Sequence, residues 1–195
     1  MPRFMYHIDE SAVQALTNFY EQTFKHFDNP SILDICASHV SHFPKNIAQT
    51  SDKRVGLGMN KTELSQNPQL TQYVQKDLNK DVKLPFEDNS FDIVTNVVSI
   101  EYLNKPVEVC KEVARVLKPG GKAYFSLSNR RFPTKVIDIW NTTNDVEHAY
   151  LVGSFFHYSG GFQAPQAVEI SPNKDKFPIV LGNSINNAYL TVVEA

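Results

Sequence analysis

Residues able to do chemistry gather at the ends of apolar runs. Asp34, Cys36, Ser38, His39 and His42 share the segment SILDICASHVSH. A zinc site needs three or four convergent ligands. His39 and His42, even with His7, do not make that set, so no metal site is expected. Cys36 has no base partner at a telling spacing, so it reads as a packed cysteine rather than a nucleophile. Asp77 and Leu78 follow the short run Gln72–Gln75, where an aspartate serves either a turn or a ligand. Glu101 offers a general base or a solvated or capping carboxylate, with Tyr102 beside it. Arg130 and Arg131 could hold a carboxylate or phosphate by forked hydrogen bonds, or form a solvated basic turn. No catalytic residue stands out.

The elements that must position these groups follow from periodicity. Residues 91–99 are apolar and β-branched behind the turn residues Glu87-Asp88-Asn89-Ser90, the pattern of a strand buried on both faces. Asn104 is expected to cap the next helix, with Pro106 in its first turn. Val107, Cys110, Val113, Ala114 and Leu117 give that helix one apolar face. Lys118-Pro119-Gly120-Gly121 stops it, and a strand follows to Leu127. Strand, helix and strand make a right-handed βαβ unit. Upstream, Asp9 or Ser11 caps a helix to about Lys25, with Val13, Leu16, Tyr20 and Phe24 inward and the Tyr20 hydroxyl at the edge of the contact. Strands are expected at about 31–36, 54–58, 72–75, 91–98, 122–127, 166–170 and 188–194. They should form one sheet with its last strand antiparallel. Asn60 can cap the helix KTELSQ or present its side-chain carbonyl to a ligand.

LPFEDNSFDIV, the helix ending EVARVLKPGG and the strand after it resemble the second half of a class I S-adenosylmethionine-dependent methyltransferase domain of type 11. The resemblance implies an α/β fold: a Rossmann-like three-layer sandwich with a seven-stranded, mostly parallel sheet. It also implies a cofactor site. Asp34 matches the acid that ends the first strand, and Asp77 and Leu78 match the pair that hydrogen-bonds and packs on adenine. Asn96, late in the fourth strand, is expected among the cofactor-binding residues. Cys36, Ser38 and Val40 stand where the family has glycines. Gly58 stands where the family has the acid that holds the ribose hydroxyls, with Asn60 two residues on. The chain is similar to a subset with a substituted turn of the form LDLxSSxVSHLP. The leading helix and residues 5–8 would help close the pocket. An Asn- or Asp-Pro-Pro-aromatic motif after the fourth strand is absent, which argues against adenine or glutamine as acceptor.

Bulk properties bound the rest. The 195 residues suit one domain, 1–195, and 42% hydrophobic with 21% charged residues suits a globular core. A formal net charge of -2 argues against a nucleic-acid binder. Two cysteines offer no disulfide framework, and no run is long and apolar enough to span a bilayer. The expectation is an intracellular, cytoplasmic protein. The resemblance implies S-adenosylmethionine-dependent methyl transfer to a small molecule, with weak cofactor binding, and Arg130 and Arg131 imply an acidic acceptor if they face the site. The alternative is a catalytically inactive protein of the same fold that binds or scaffolds a protein partner.

Overall fold

The computed structural model describes residue 4, residues 7–171 and residues 190–195. The strands are β1 (Ile32–Ile35), β2 (Arg54–Gly58), β3 (Gln72–Gln75), β4 (Phe91–Val97), β5 (Leu117–Ser128), β6 (Gln166–Glu169) and β7 (Leu190–Glu194). They form one sheet in the order β3-β2-β1-β4-β5-β7-β6. Pairs from β3 to β5 are parallel, and β7 runs antiparallel to both β5 and β6. The expected Rossmann-like α/β sheet is present. Residues 188 and 189 of the expected last strand lie outside the described residues.

Side chains alternate across each strand, so adjacent residues enter opposite cores. Leu33, Val94, Phe125 and Val193 pack on one face with helices α4 (Pro106–Val116) and α6 (Asp145–Ser159). Ile32, Ile93, Tyr124 and Val192 pack on the other with α1 (Glu10–Phe24). Both faces being covered is what makes the central strands read as continuous apolar runs.

Asp9 is the N-cap of α1, accepting from the Ala12 backbone N–H at 2.9 Å. Such a cap contributes about 1 kcal/mol. Ala12, Leu16, Tyr20 and Phe24 are buried, whereas Val13 is only half-buried. The Tyr20 hydroxyl does not reach the edge. Its ring stacks on Phe24 at 4.8 Å and meets Phe43, and the hydroxyl is buried without a hydrogen-bond partner.

Asn104 does not cap α4. Its backbone N–H donates to Asn79 Oδ1 while Asn79 Nδ2 donates to the Tyr102 carbonyl, so Asn79 fixes the chain before the helix. Lys105 takes the N-cap position, without a side-chain bond, and Pro106 begins the helix. Its buried face is Val109, Cys110, Val113 and Val116. The helix stops one residue before Leu117, because β5 already begins there and pairs with Phe91. Arg115 and Glu112 tie the segment LPFED to the helix. Arg115 donates to the Phe86 and Leu84 carbonyls and to Asp88, and Glu112 accepts from the Leu84 N–H. This helix therefore pins the loop that enters β4.

Beyond β5 comes the short helix α5 (Asp138–Thr142), which buries Trp140. Helix α6 begins at a capping box between Asn144 and Glu147. A helical turn α2 (Ile47–Thr50) was not expected, and α3 (Lys61–Ser65) was.

Candidate functional site

The carboxyl ends of β1 to β5 open on a cavity of about 1070 Å³. Open α/β sheets bind ligands at this edge, and the volume is ample for a nucleoside-sized group. Asp34, Cys36, Ser38, Gly58, Asn60, Asp77 and Leu78 all line it. Asn96 lies beneath rather than in the wall. It is fully buried, its Nδ2 donates to the Ile35 carbonyl, and its Oδ1 is buried without a hydrogen-bond partner.

The substituted turn keeps one feature of a glycine turn. Cys36 has φ +57°, the left-handed region that favours glycine, whereas Ser38 and Val40 do not share it. On the facing strand end, Val98 has φ +40°, so a β-branched residue is also held in that region at the cavity wall. Burial, with Asp34 close by, pushes the Cys36 thiol up to about 12. That fits a packed cysteine, not a nucleophile. The position can be tested directly. Cys36→Gly is expected to be more stable than Cys36→Ala by about 1 kcal/mol, because the left-handed backbone penalises a Cβ. On an ordinary strand the order would be reversed. Urea unfolding of the two variants checks it, and equal stabilities would show that the turn holds no strain.

Residues remote in sequence hold this turn. Asn67 Nδ2 donates to the Ser38 carbonyl at 3.0 Å and to Ser41 Oγ at 2.9 Å. Gln69 Oε1 accepts from the backbone N–H groups of Ser41 and Phe43, and its Nε2 donates to the Phe43 carbonyl. Neither residue stood out in the sequence, since an Asn and a Gln after a helix give no local signal of reaching back to a loop.

Asp34 is buried and accepts from Thr95 Oγ1 at 2.9 Å. Burial raises its carboxyl to about 7, with hydrogen bonds from Ser41 and Thr95 opposing the rise. Asp77 Oδ1 accepts from the Asn79 N–H at 3.0 Å and so closes its own turn. Both readings of Asp77 remain compatible, because a carboxylate has further acceptor positions. Asn60 caps α3: its Oδ1 accepts from the Thr62 and Glu63 N–H groups, and its Nδ2 donates to Glu63 Oε1 at 2.9 Å.

Glu101 offered a general base or a solvated or capping carboxylate; it is buried, not solvated, and it is not among the residues of the cavity wall. It is 1% exposed, its Oε2 has no hydrogen-bond partner, and burial raises its carboxyl to about 7. Tyr102 does line the cavity, and its hydroxyl accepts from the Phe132 N–H at 3.2 Å. Arg130 and Arg131 lie in the wall as well. Arg130 pairs with Asp9 at 3.3 Å and Arg131 Nε donates to Asn141 Oδ1 at 3.4 Å. His7, Ile8, His39 and His42 complete this mouth, while Met5 and Tyr6 lie outside the described residues. Among the described residues no group of three or more His, Cys, Asp or Glu is placed to hold a metal ion. No helix among them is long and apolar enough to cross a membrane.

Known proteins share the fold. Residues 34–125 match the family described as a methyltransferase domain. The sterol 4-C-methyltransferase of Caenorhabditis elegans is 29% identical over 109 residues, which is 55% of this chain and 30% of that protein. The chain spans less than a third of the length of the curated relatives it matches. Among solved structures, the [4+2]-cyclase SpnF superposes with a TM-score of 0.65 at 15% identity, covering 92% of this chain and 79% of the cyclase. An S-adenosylmethionine-dependent methyltransferase from Mesorhizobium loti gives 0.62 at 15% identity, covering 92% and 96%.

Proposed function

We propose that this chain, whose residues 34–125 match the methyltransferase domain family, transfers a methyl group from S-adenosylmethionine to a small acidic acceptor. The observation that carries the reading is the convergence of Asp34, Cys36, Asp77 and Leu78 on one large cavity at the carboxyl edge of the sheet. The residues fit the cofactor at its two ends. Asp77 and Leu78 would meet the adenine, and Asp34 underlies the turn that would meet the methionine moiety. The bound cofactor supplies an electrophilic sulfonium methyl. The chain's own task is then alignment, since placing a nucleophile in line with such a carbon supplies most of what the step requires. Tyr102, fixed through Phe132, shapes the wall next to that space. No side chain is assigned as the base.

Arg130, Arg131 and Lys135 give the mouth its positive charge. Two guanidinium groups favour carboxylate or phosphate by planar, forked contacts. In a screen of carboxylic, phosphorylated and neutral small nucleophiles, the acidic ones are expected to be methylated. The double variant Arg130→Ala, Arg131→Ala should lose roughly tenfold or more in kcat/KM with them and leave cofactor affinity unchanged. Preference for neutral acceptors would remove the acidic assignment. Calorimetry with S-adenosylhomocysteine tests the whole reading: no heat of binding up to millimolar ligand would return the protein to a non-catalytic role. Weak binding, in the high micromolar range, is the expected result, since the glycines of the turn and the acid at position 58 are both replaced.

A further inference from the structure

We propose that the acidic group of the acceptor is a single carboxylate, read by the Arg131 guanidinium together with the hydroxyl proton of Tyr102, and that Arg130 serves instead to hold the start of α1. The inference deepens the acidic-acceptor reading above and rests on it. Three cations stand at the mouth, and their surroundings differ. Arg130 is already neutralised: its guanidinium pairs with Asp9 Oδ2 at 3.3 Å, and Asp9 is the N-cap of α1. The Lys135 ammonium lies over the Phe132 ring, 5.5 Å from its centre. Arg131 is half-buried, and its hydrogen-bond partner is neutral, Asn141 Oδ1 at 3.4 Å from Nε. Among the described residues no carboxylate pairs with it. A guanidinium carries five donors, so the fork of its terminal N–H groups remains open.

Tyr102 supplies the second donor. Its backbone is tied at both groups: the N–H donates to the Ser99 carbonyl at 3.2 Å, and the carbonyl accepts from Asn79 Nδ2 at 2.9 Å. Its hydroxyl oxygen is held as well, accepting from the Phe132 N–H at 3.2 Å in the cavity wall. That bond uses a lone pair of the oxygen and leaves its proton. Among the described residues nothing accepts this proton. Burial raises the phenol above its ordinary 10, with the Phe132 N–H and the Arg131 charge opposing the rise, so the hydroxyl stays a donor at neutral pH.

The chain itself brings the two groups together. Phe132 follows Arg131 directly, and its N–H is what ties this stretch to the Tyr102 hydroxyl. The guanidinium and the phenol are thus anchored to each other through a single residue, close enough for the Arg131 charge to be felt at the phenol. Their charges name the class of group they suit. One unpaired cation and one neutral donor match a single negative charge spread over two oxygens, and a carboxylate takes charge-assisted bonds from both. A phosphate monoester brings about two negative charges at neutral pH, more than this pair balances. The two arginines, adjacent in sequence, therefore have separate tasks, Arg130 toward α1 and Arg131 toward the acceptor.

The test is titration with benzoate, its neutral counterpart benzamide and phenyl phosphate, followed by NMR chemical shifts. No cofactor is added, so the outcome does not depend on cofactor binding. Wild type is expected to bind benzoate roughly tenfold more tightly than benzamide, and no more weakly than phenyl phosphate. Arg131→Gln should remove the preference for benzoate. Arg131→Lys, which keeps the charge and loses the fork, should melt like wild type and keep part of the preference. Tyr102→Phe should weaken benzoate by roughly tenfold and benzamide by clearly less, because the bond to the charged group is the stronger one. A merely structural loss would weaken both probes equally. Arg130→Gln should cost benzoate less than about threefold, since Asp9 already balances that charge. If wild type prefers benzoate but Arg130→Gln costs as much as Arg131→Gln, or Tyr102→Phe weakens both probes alike, the assignment is wrong while the acidic reading stands. If phenyl phosphate binds roughly tenfold more tightly than benzoate, the carboxylate assignment also fails. If wild type does not prefer benzoate to benzamide, or binds neither, the acidic reading itself fails and takes this assignment with it.

Discussion

Replacing Glu101 with glutamine is expected to stabilise the protein by about 3 kcal/mol more near pH 8 than near pH 4.5. Burial is the cause. Glu101 is 1% exposed and has one oxygen without a partner, and its carboxyl is raised from an ordinary 4.5 to about 7. Below the unfolded value both states hold the proton and Glu101 costs nothing. Between 4.5 and about 7 the unfolded chain has lost its proton while the native state keeps it, so stability falls as pH rises. Above about 7 both states are ionised and the full cost remains. Glutamine removes that titration while keeping the shape, so any cost of the buried amide is the same at every pH.

Other groups must be separated from it. Asp34, raised from 3.8 to about 7, has the same sign over nearly the same window. His42, lowered from 6.5 to about 4 by burial, with His39 and His7 contributing, has the opposite sign: its contribution grows as pH rises from about 4 to 6.5. The wild-type profile is therefore a partial cancellation. The difference between wild type and Glu101→Gln isolates one carboxyl. Urea unfolding across the pH range measures it. A difference that stays constant with pH would mean that Glu101 keeps an ordinary affinity for its proton.

How much of this was legible in the sequence depends on the range of the contacts. The βαβ unit could be read because its signals are local: an apolar run, a proline at a helix start, glycines at its end. The family resemblance rested on the loop 84–88 and helix α4, and in the structure Arg115 and Glu112 bind that helix to that loop. The failures are all tertiary. Asn104 has the residue type of a cap, but Asn79 captures its backbone N–H first. Tyr20 has an amphipathic ring, but Phe43 closes over the helix and the hydroxyl is buried with it. Glu101 carries a charge that argues for solvent, yet its place in the turn Ile100–Tyr102 points it inward.

The site shows the same division. Asp34, Asp77 and Leu78 could be placed at the cavity from sequence because they lie at or just past strand ends, and a strand end fixes a residue's place in space. Glycine at 58 was read as a missing acid. Its cause, the Ala37 carbonyl lying over the strand end, needs two strands side by side. Glu63 was passed over entirely. The one local hint was an Asn-x-x-Glu spacing at a helix start, which reads as capping. Its contact with Ser38, far back in the chain, exists only once the turn lies against β2.

Asp77→Ala is expected to weaken S-adenosylhomocysteine binding by roughly 10- to 100-fold, the cost of one hydrogen bond to a charged group. The carboxylate stands at the end of β3 in the cavity wall, next to the buried Leu78. An adenine packed on Leu78 presents its exocyclic amino group as a donor, and an ionised Asp77 can only accept. The same chemistry predicts selectivity. A hypoxanthine base carries an oxygen in place of that amino group, so it would set one acceptor against another. Wild type should therefore bind the adenine ligand more tightly than its hypoxanthine counterpart, and Asp77→Ala should lose the preference. Asp77 also closes its own turn through the Asn79 N–H, so the alanine variant loses some local order. Asp77→Asn separates the two roles. Its side-chain carbonyl can keep the turn and still accept from adenine, without the charge, so it should fall between wild type and alanine. Calorimetry with the adenine and hypoxanthine ligands on all three proteins decides the matter: an alanine variant that still prefers adenine would place the base elsewhere in the cavity and leave Asp77 a turn residue.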